Sequence, residues 1–357
     1  MTERSFLPDA TAPQRESFPL DWPRAYGEPA LSGVIRTVPE DFRVDEILGF
    51  EPDGDGTHAF LKIRKKNINT ERVAKQLARF AGVRQVDIGY AGLKDRRAVT
   101  TQWFSVDLAG REEPDWHSLA EDGVEFIKVT RHRRKLKRGA LQGNRFALVV
   151  RDIQGEPRLF EERIAEVSAN GVPNYFGEQR FGFANLEKAT AMFTGQLKRV
   201  RRPEKSIYLS AARSWLFNKI LAARVAAGSW NRAIAGDVMM LAGSHSIFSI
   251  DVVDSEIEQR IQKLDIHPTG AMWGGGELAS TRDAELLEVA AVKDDMVFSA
   301  GLKRAGLKQQ RRALRLIPET LQFNRTASNT IELQFSLPAG SYATVVLREL
   351  LNYRQLG

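Results

Sequence analysis

The sequence contains no cysteine. That excludes a disulfide framework, a thiolate nucleophile, an iron–sulfur cluster and any zinc site built on cysteine. Histidine is scarce, and His58, His117, His132, His245 and His267 form no i,i+4 pair and no HExxH pattern, so they read as structural or surface residues and no metal site is expected. Long apolar runs are missing too. The densest, Phe146 to Val150 and Val345 to Leu347, fall far short of the roughly 18 residues a membrane-spanning helix needs. The first twenty residues carry Glu3, Asp9, Glu16, Pro8, Pro13 and Pro19 without the apolar stretch of a secretory signal, so a cytoplasmic protein with no membrane partner is expected. Gly274-Gly275-Gly276 lacks the Lys-Ser/Thr that completes a phosphate-binding loop and reads as a flexible connection. With no repeat, low-complexity tract or heptad series, a monomer is expected.

What is present is an ordinary globular balance, 43% apolar and 27% charged, over 357 residues, enough for about two domains. Lys and Arg (52) exceed Asp and Glu (45) by 7, which favours an anionic partner. Residues 1–30 read as a poorly ordered lead-in rich in proline and charge. From Gly33 short strands alternate through Val34, Phe42, Val44 and Ile47, and a helix follows with Thr70 as its cap and Val73, Leu77 and Phe80 on one face. Strands are expected at Gln102–Val106, Glu125–Thr130 and Arg145–Arg151. The helical period then takes over at Leu159–Val167, Leu186–Phe193 and Ile207–Ala227. Asp254 and Thr281 are placed to cap two further helices. A strand at Ile331–Leu337 and a helix capped by Ser341 close the chain. The pattern predicts an α+β domain, residues 31–169 with 317–357, interrupted by a mostly helical α/β insertion at 170–316.

The unusual stretch is Gly89-Tyr90-Ala91-Gly92-Leu93-Lys94-Asp95-Arg96-Arg97, a glycine-bounded loop between two expected strands with one acid among three bases. Loops of this kind often hold sites, and the cations would draw phosphate to the carboxylate. This segment resembles the catalytic motif of the TruD family of tRNA pseudouridine synthases. Three more stretches match that family in order: Arg36 to Ile47, Gly143-Asn144-Arg145-Phe146, and Leu337 to Thr344; a further match is Asn174-Tyr175-Phe176-Gly177-Glu178-Gln179-Arg180-Phe181-Gly182.

The resemblance implies a pseudouridine-synthase catalytic domain, circularly permuted, with a mixed or antiparallel sheet, flanking helices and the family's own insertion domain. It implies that Asp95 is the nucleophile, that uridine 13 of tRNA is the target, and that no cofactor is used. Asn144 and Phe146 match residues that contact the flipped uridine, Phe42 and Tyr342 match further positions of the base-binding pocket, and Arg36 stands where the family has a basic residue. Glu46 and Lys94 are candidates for a supporting layer behind these. Isomerisation conserves every atom, which suits a chain without cysteine or a P-loop. Whether the carboxylate attacks C1′ of the ribose, attacks the base or abstracts a sugar proton is open at this point. On a strand, Asn144 and Phe146 would face one side, an amide beside an aromatic plane, as base recognition requires.

Three basic clusters could grip RNA backbone: Arg131, Arg133, Arg134, Lys135, Lys137 and Arg138; Lys198, Arg199, Arg201, Arg202 and Lys205; and Lys303, Arg304, Lys308, Arg311, Arg312 and Arg315. They also admit an alternative, a non-catalytic RNA-binding or RNA-chaperone protein on the same fold.

Overall fold

The computed structural model describes residues 18–119 and 123–355. Along the chain run β1 (Leu31–Ile35), β2 (Phe42–Leu48), β3 (His58–Lys66), α1 (Thr70–Phe80), β4 (Ile88–Tyr90), β5 (Val99–Asp107), β6 (Val124–His132), β7 (Leu141–Gly155) and α2 (Pro157–Asn170). The middle segment holds β8 (Val172–Pro173), α3 (Asn185–Phe193), α4 (Arg202–Ala226), β9 (Val238–Leu241), β10 (Ile247–Ser249), α5 (Ser255–Gln262), β11 (Ile266–Met272), α6 (Arg282–Val292), α7 (Met296–Arg304), β12 (Gln310–Ala313) and β13 (Arg315–Leu316). The chain ends with β14 (Glu319–Ala327), β15 (Thr330–Pro338), α8 (Ala343–Leu350) and β16 (Asn352–Gln355).

The first and last portions share one ten-stranded mixed sheet in which β14-β15-β7-β2-β5-β3-β6 are successive neighbours, with β1 on β7 and β16, and β4 on β5. The fold is therefore α+β, and the tail completes a sheet that the head begins. Register aligns Lys65, Thr100, Val44, Phe146 and Phe335 in one row across five strands, and Glu46, Asn144 and Leu337 in another. Residues directly opposite share a face, so these rows define a working surface.

Two apolar clusters cover that face. Phe160 and Ile164 of α2 and Val346 and Leu347 of α8 pack with Leu148, Leu333 and Phe335, while Val73 and Leu77 of α1 pack with Leu61, Ile63 and Phe104. Each fully buried side chain of this kind contributes about 2 kcal/mol. The β4–β5 loop lies between the clusters.

The middle segment is mostly helical as expected, and it also contains a second sheet, β10-β9-β11-β12, that the periodicity does not reveal. Its strands are short, and β11 reads Ile-His-Pro-Thr-Gly-Ala-Met without alternation. Gly270 lets β11 lie close to α4, since a Cβ there would press on Leu314, Phe217 and Ile220. The segment's two ends meet where β8 and β13 pair, Val172 opposite Leu316.

Several local expectations shift. Asp254 does cap α5, accepting from Ile257 N at 2.9 Å, and Thr281 stands at the N-cap of α6. Thr70 instead begins α1, with Asn69 at the cap position, and Tyr342 rather than Ser341 precedes α8. α4 starts at Arg202, five positions before Ile207, because Pro203 and Glu204 suit a first helical turn. The lead-in is also shorter than expected. Phe18 packs edge-on to Trp215 at 5.2 Å, Trp22 stacks on Tyr175 at 5.9 Å, and Tyr26 Oη donates to Gly171 O at 2.6 Å, so aromatic burial orders the chain well before residue 31. Residues 1–17 lie outside the described residues.

Candidate active site

Arg36 follows β1 with φ of 59°, a left-handed conformation that costs a non-glycine residue about 1 kcal/mol. Two contacts hold it there. Its guanidinium lies 3.8 Å from the centroid of the Phe42 ring, and Nη2 donates to Asp95 Oδ2 at 2.8 Å. A guanidinium stacked on a ring and bonded to a carboxylate is a stiff fixture. The Asp95 side chain keeps 38% exposure against 14% for Arg36, so the carboxylate is anchored through one oxygen and open on its other side.

Lys94 does not join Asp95. Its Nζ turns to Glu46 Oε2 at 2.8 Å, and Glu46 Oε1 accepts from Trp103 N at 3.2 Å. Both side chains are buried, so the pair needs these bonds to offset desolvation, and it clamps the loop to β2 and β5. Arg96 and Arg97 are exposed. The cation that meets the carboxylate is thus the distant Arg36, because neighbours i±1 on a short loop point to different sides.

Three side chains with no individual sequence signal hold the loop backbone. Gln102 Nε2 donates to Gly92 O at 3.3 Å. Thr70 Oγ1 accepts from Lys94 N at 3.1 Å and donates to Gln102 Oε1 at 2.8 Å. Lys65 Nζ donates to Asp95 O at 3.0 Å from a fully buried position. Burial pushes the Lys65 ammonium down to about 8, against the pull of the Asp95 charge, and Lys94 adds to the lowering.

Beside the ion pair, Phe42 meets Phe146 edge-on at 6.3 Å, and Phe146 stacks on Phe335 at 5.5 Å. Asn144 sits in the adjoining row, opposite Glu46, and Gly143 before it allows β15 to approach, since a Cβ would collide with the Leu337 carbonyl. Asn144 Oδ1, Arg36 Nε and Thr100 Oγ1 are buried without a partner. Unpaired buried polar atoms are uncommon, and these three lie on Arg36, which holds Asp95, and on the two rows of the sheet face described above.

Tyr342 is placed differently. Its Oη accepts from Arg180 Nε at 2.9 Å and its ring meets Phe176 edge-on at 6.3 Å, which ties it to the Asn174–Gly182 stretch. Arg312 lies 4.2 Å over the Phe176 ring, and burial pushes its guanidinium down to about 10. A cleft of about 1170 Å³ runs between β1, β16 and the start of α8 on one side and Tyr175–Gln179 on the other.

The family model for tRNA pseudouridine synthase D (TruD) matches residues 24–189 and 183–350. The chain belongs to the TruD family. It is 52% identical over 339 residues to a tRNA pseudouridine synthase D of Methylococcus capsulatus, covering 94% of this chain and 96% of the relative. It is 47% identical over 332 residues to one of Hydrogenovibrio crunogenus, covering 92% and 96%. The fold matches a TruD crystal structure from Methanosarcina mazei with a TM-score of 0.73 at 23% identity, over 92% of this chain and 95% of that one.

In this TruD chain the basic clusters divide. Lys198, Arg199, Arg201, Arg202 and Lys205 are all exposed. In the first cluster Arg131 pairs with Glu113 at 2.7 Å, Arg133 pairs with Asp55 at 2.9 Å, and Lys135 donates to Val86 O, which leaves Arg134, Lys137 and Arg138 exposed without a carboxylate partner among the described residues. Half of the third cluster is structural, while Lys303, Arg304 and Lys308 are exposed. Arg311 pairs with buried Glu288, Arg312 bonds Asn174 Oδ1, and Arg315 donates to Ile261 O and Ile266 O, so these three face inward rather than toward an RNA backbone. Glu46, read only as a supporting candidate, is a central clamp, whereas Lys65, Thr70 and Gln102 become recognisable only once the register is known.

Proposed function

We propose that this TruD protein isomerises uridine 13 of tRNA to pseudouridine, with Asp95 as the nucleophile and the target base flipped into a pocket made by Phe42, Phe146 and Asn144, with Tyr342 contributing from its place beside Arg180 and Phe176. The observation that carries this reading is the Arg36–Asp95 ion pair set beside an aromatic pair and an Asn144 Oδ1 that has no partner. A flipped uracil offers a face for the rings and an N3–H for the amide oxygen, while the aromatic surroundings compensate for lost stacking. The target position itself rests on the family resemblance.

In the reaction the N1–C1′ bond breaks and a C5–C1′ bond forms, C5 loses a proton and N1 gains one, and no electrons are exchanged. Arg36 occupies Asp95 Oδ2, which leaves Oδ1 to attack. Residues 31–169 with 317–357 serve as the catalytic domain and 170–316 as the insertion domain, with tRNA lying between them.

The test is tritium release from a tRNA transcript labelled at uridine C5, comparing wild type with Asp95→Asn. Wild type releases label and Asp95→Asn binds tRNA without releasing it; mapping the product locates the modified position. Release by Asp95→Asn at the wild-type rate overturns the nucleophile assignment. No release by wild type from a mixed tRNA pool, with binding intact, overturns the enzymatic reading in favour of an RNA-binding one.

A further inference from the structure

Fixing a nucleophile requires more than fixing its side chain, because the loop that carries Asp95 belongs to no helix or strand. Arg36 sets the carboxylate's rotation, Gln102 holds the loop at Gly92 and Thr70 holds it at Lys94 N. Among the described residues, Lys65 reaches the main chain of residue 95 itself, donating to its carbonyl. We propose that Lys65 is a positioning residue for the isomerisation, setting the height of the Asp95 carboxylate over the target base through the Asp95 carbonyl. The proposal rests on the reading of Asp95 given above.

Three observations support it. Lys65 has 0% exposure, and an ammonium taken fully out of water is expensive unless it serves a specific contact. Arg224 meets Asp237 at 2.8 Å, Arg311 meets Glu288 at 2.8 Å and buried Arg315 spreads its bonds over His267 and two carbonyls, whereas the contact of Lys65 is a single carbonyl, that of the nucleophile. Its two cross-strand neighbours, Thr100 of β5 and Val124 of β6, do not ionise. The charges that face it come from the loop, the Asp95 carboxylate and the Lys94 ammonium, and Glu46 already neutralises the latter. Lys65 also shares the row of Val44 and Phe146, so its chain rises on the face where the base would lie. A charge placed there without a carboxylate partner detracts from folding, which separates a role in the site from a role in stability.

The experiment uses the full chain, saturating tRNA and single-turnover tritium release between about pH 6.5 and 9.5. Lys65→Met is expected to bind tRNA within about twofold of wild type, to keep or raise the melting temperature, and to react about 100-fold more slowly near neutral pH, the scale of loss that a displacement of about 1 Å produces. The wild-type advantage should shrink as pH rises through about 8, where Lys65 loses its proton. Titration of the substrate's own N3–H is common to both proteins and cancels in their ratio. A Lys65→Met rate equal to wild type overturns the proposal, as does a pH-independent ratio accompanied by a lowered melting temperature, which marks a purely structural role. Should Lys65→Met fail to fold, wild type still decides: no alkaline fall beyond the one that Lys65→Arg retains overturns it. Asp95→Asn is run alongside. If it is active, the nucleophile reading fails; if it is inactive while Lys65→Met is fully active, only the role of Lys65 fails.

Discussion

Asn144 Oδ1 is buried and without a partner in the free protein, so its removal takes nothing away from folding that the rest of the molecule uses. Asn144→Ala should therefore change the melting temperature little while lowering kcat/KM about 10- to 100-fold, the range for losing one hydrogen bond to a bound base. Thermal denaturation and tritium release on the same preparation check both halves; a large loss of stability would show that the amide serves the fold. Arg36 presents the opposite balance. Arg36→Lys keeps a positive charge but gives up the planar stack on Phe42, so a loss of about tenfold in rate is expected with tRNA affinity unchanged. At this scale Asp95, Arg36, Asn144 and Phe146 could be named as candidates from the sequence because each sits in a stretch that resembles a family motif, whereas residue type alone singles out only the Asp95 loop. Lys65, Thr70 and Gln102 could not be named, because a lysine ending a strand, a threonine opening a helix and a glutamine inside a strand are ordinary until the register sets them under one loop.

Among the elements, α1 and α5 begin in ways that look alike in sequence and differ in what their polar residues do. Asp254 caps α5 through Ile257 N, so Asp254→Ala should cost about 1 kcal/mol of stability and leave the rate untouched. Thr70 spends its hydroxyl on Gln102 and on the loop at Lys94, so Thr70→Val should cost about 1–3 kcal/mol and reduce the rate as well. Denaturant melts paired with single-turnover rates separate the two; equal rates in both variants would remove Thr70 from the loop's support. β11 contributes a pH effect. Burial, then the Arg315 charge, pushes His267 down from 6.5 to about 4, and Arg315 Nε donates to its neutral Nδ1 at 3.0 Å. The unfolded chain takes up the proton first, so stability present above about pH 6.5 is lost as pH falls toward 4, and His267→Gln should flatten that slope in melting-temperature scans. The capping pattern announced α5, but β11 itself stayed hidden, since a strand containing Pro268 and Gly270 carries no period.

The whole molecule separates its positive charge into two populations that composition merges into a single excess of 7. Arg311, Arg312 and Arg315 are spent inside, on Glu288, on Asn174 and the Phe176 ring, and on backbone carbonyls near β11. Lys198, Arg199, Arg201 and Arg202 lie exposed just before and at the start of α4, where a helix N-terminus disfavours cations. Positive charge kept at such a place against its local preference, while the Glu204 carboxylate accepts from the Arg201 backbone amide, is suited to an external polyanion. If each of the four neutralises one phosphate of tRNA, replacing all four by Gln should lower the slope of log K against log salt by about 3, at about 0.7–0.9 per contact. Filter binding over a range of salt gives that slope directly, and melting curves should show the fold unharmed. Arg311→Gln should do the reverse, leaving the slope alone while stranding Glu288 and lowering the melting temperature. A sequence cannot separate these populations, because the lysines and arginines of both occur as dense runs; burial of the strand or helix beneath them decides which charges stay exposed.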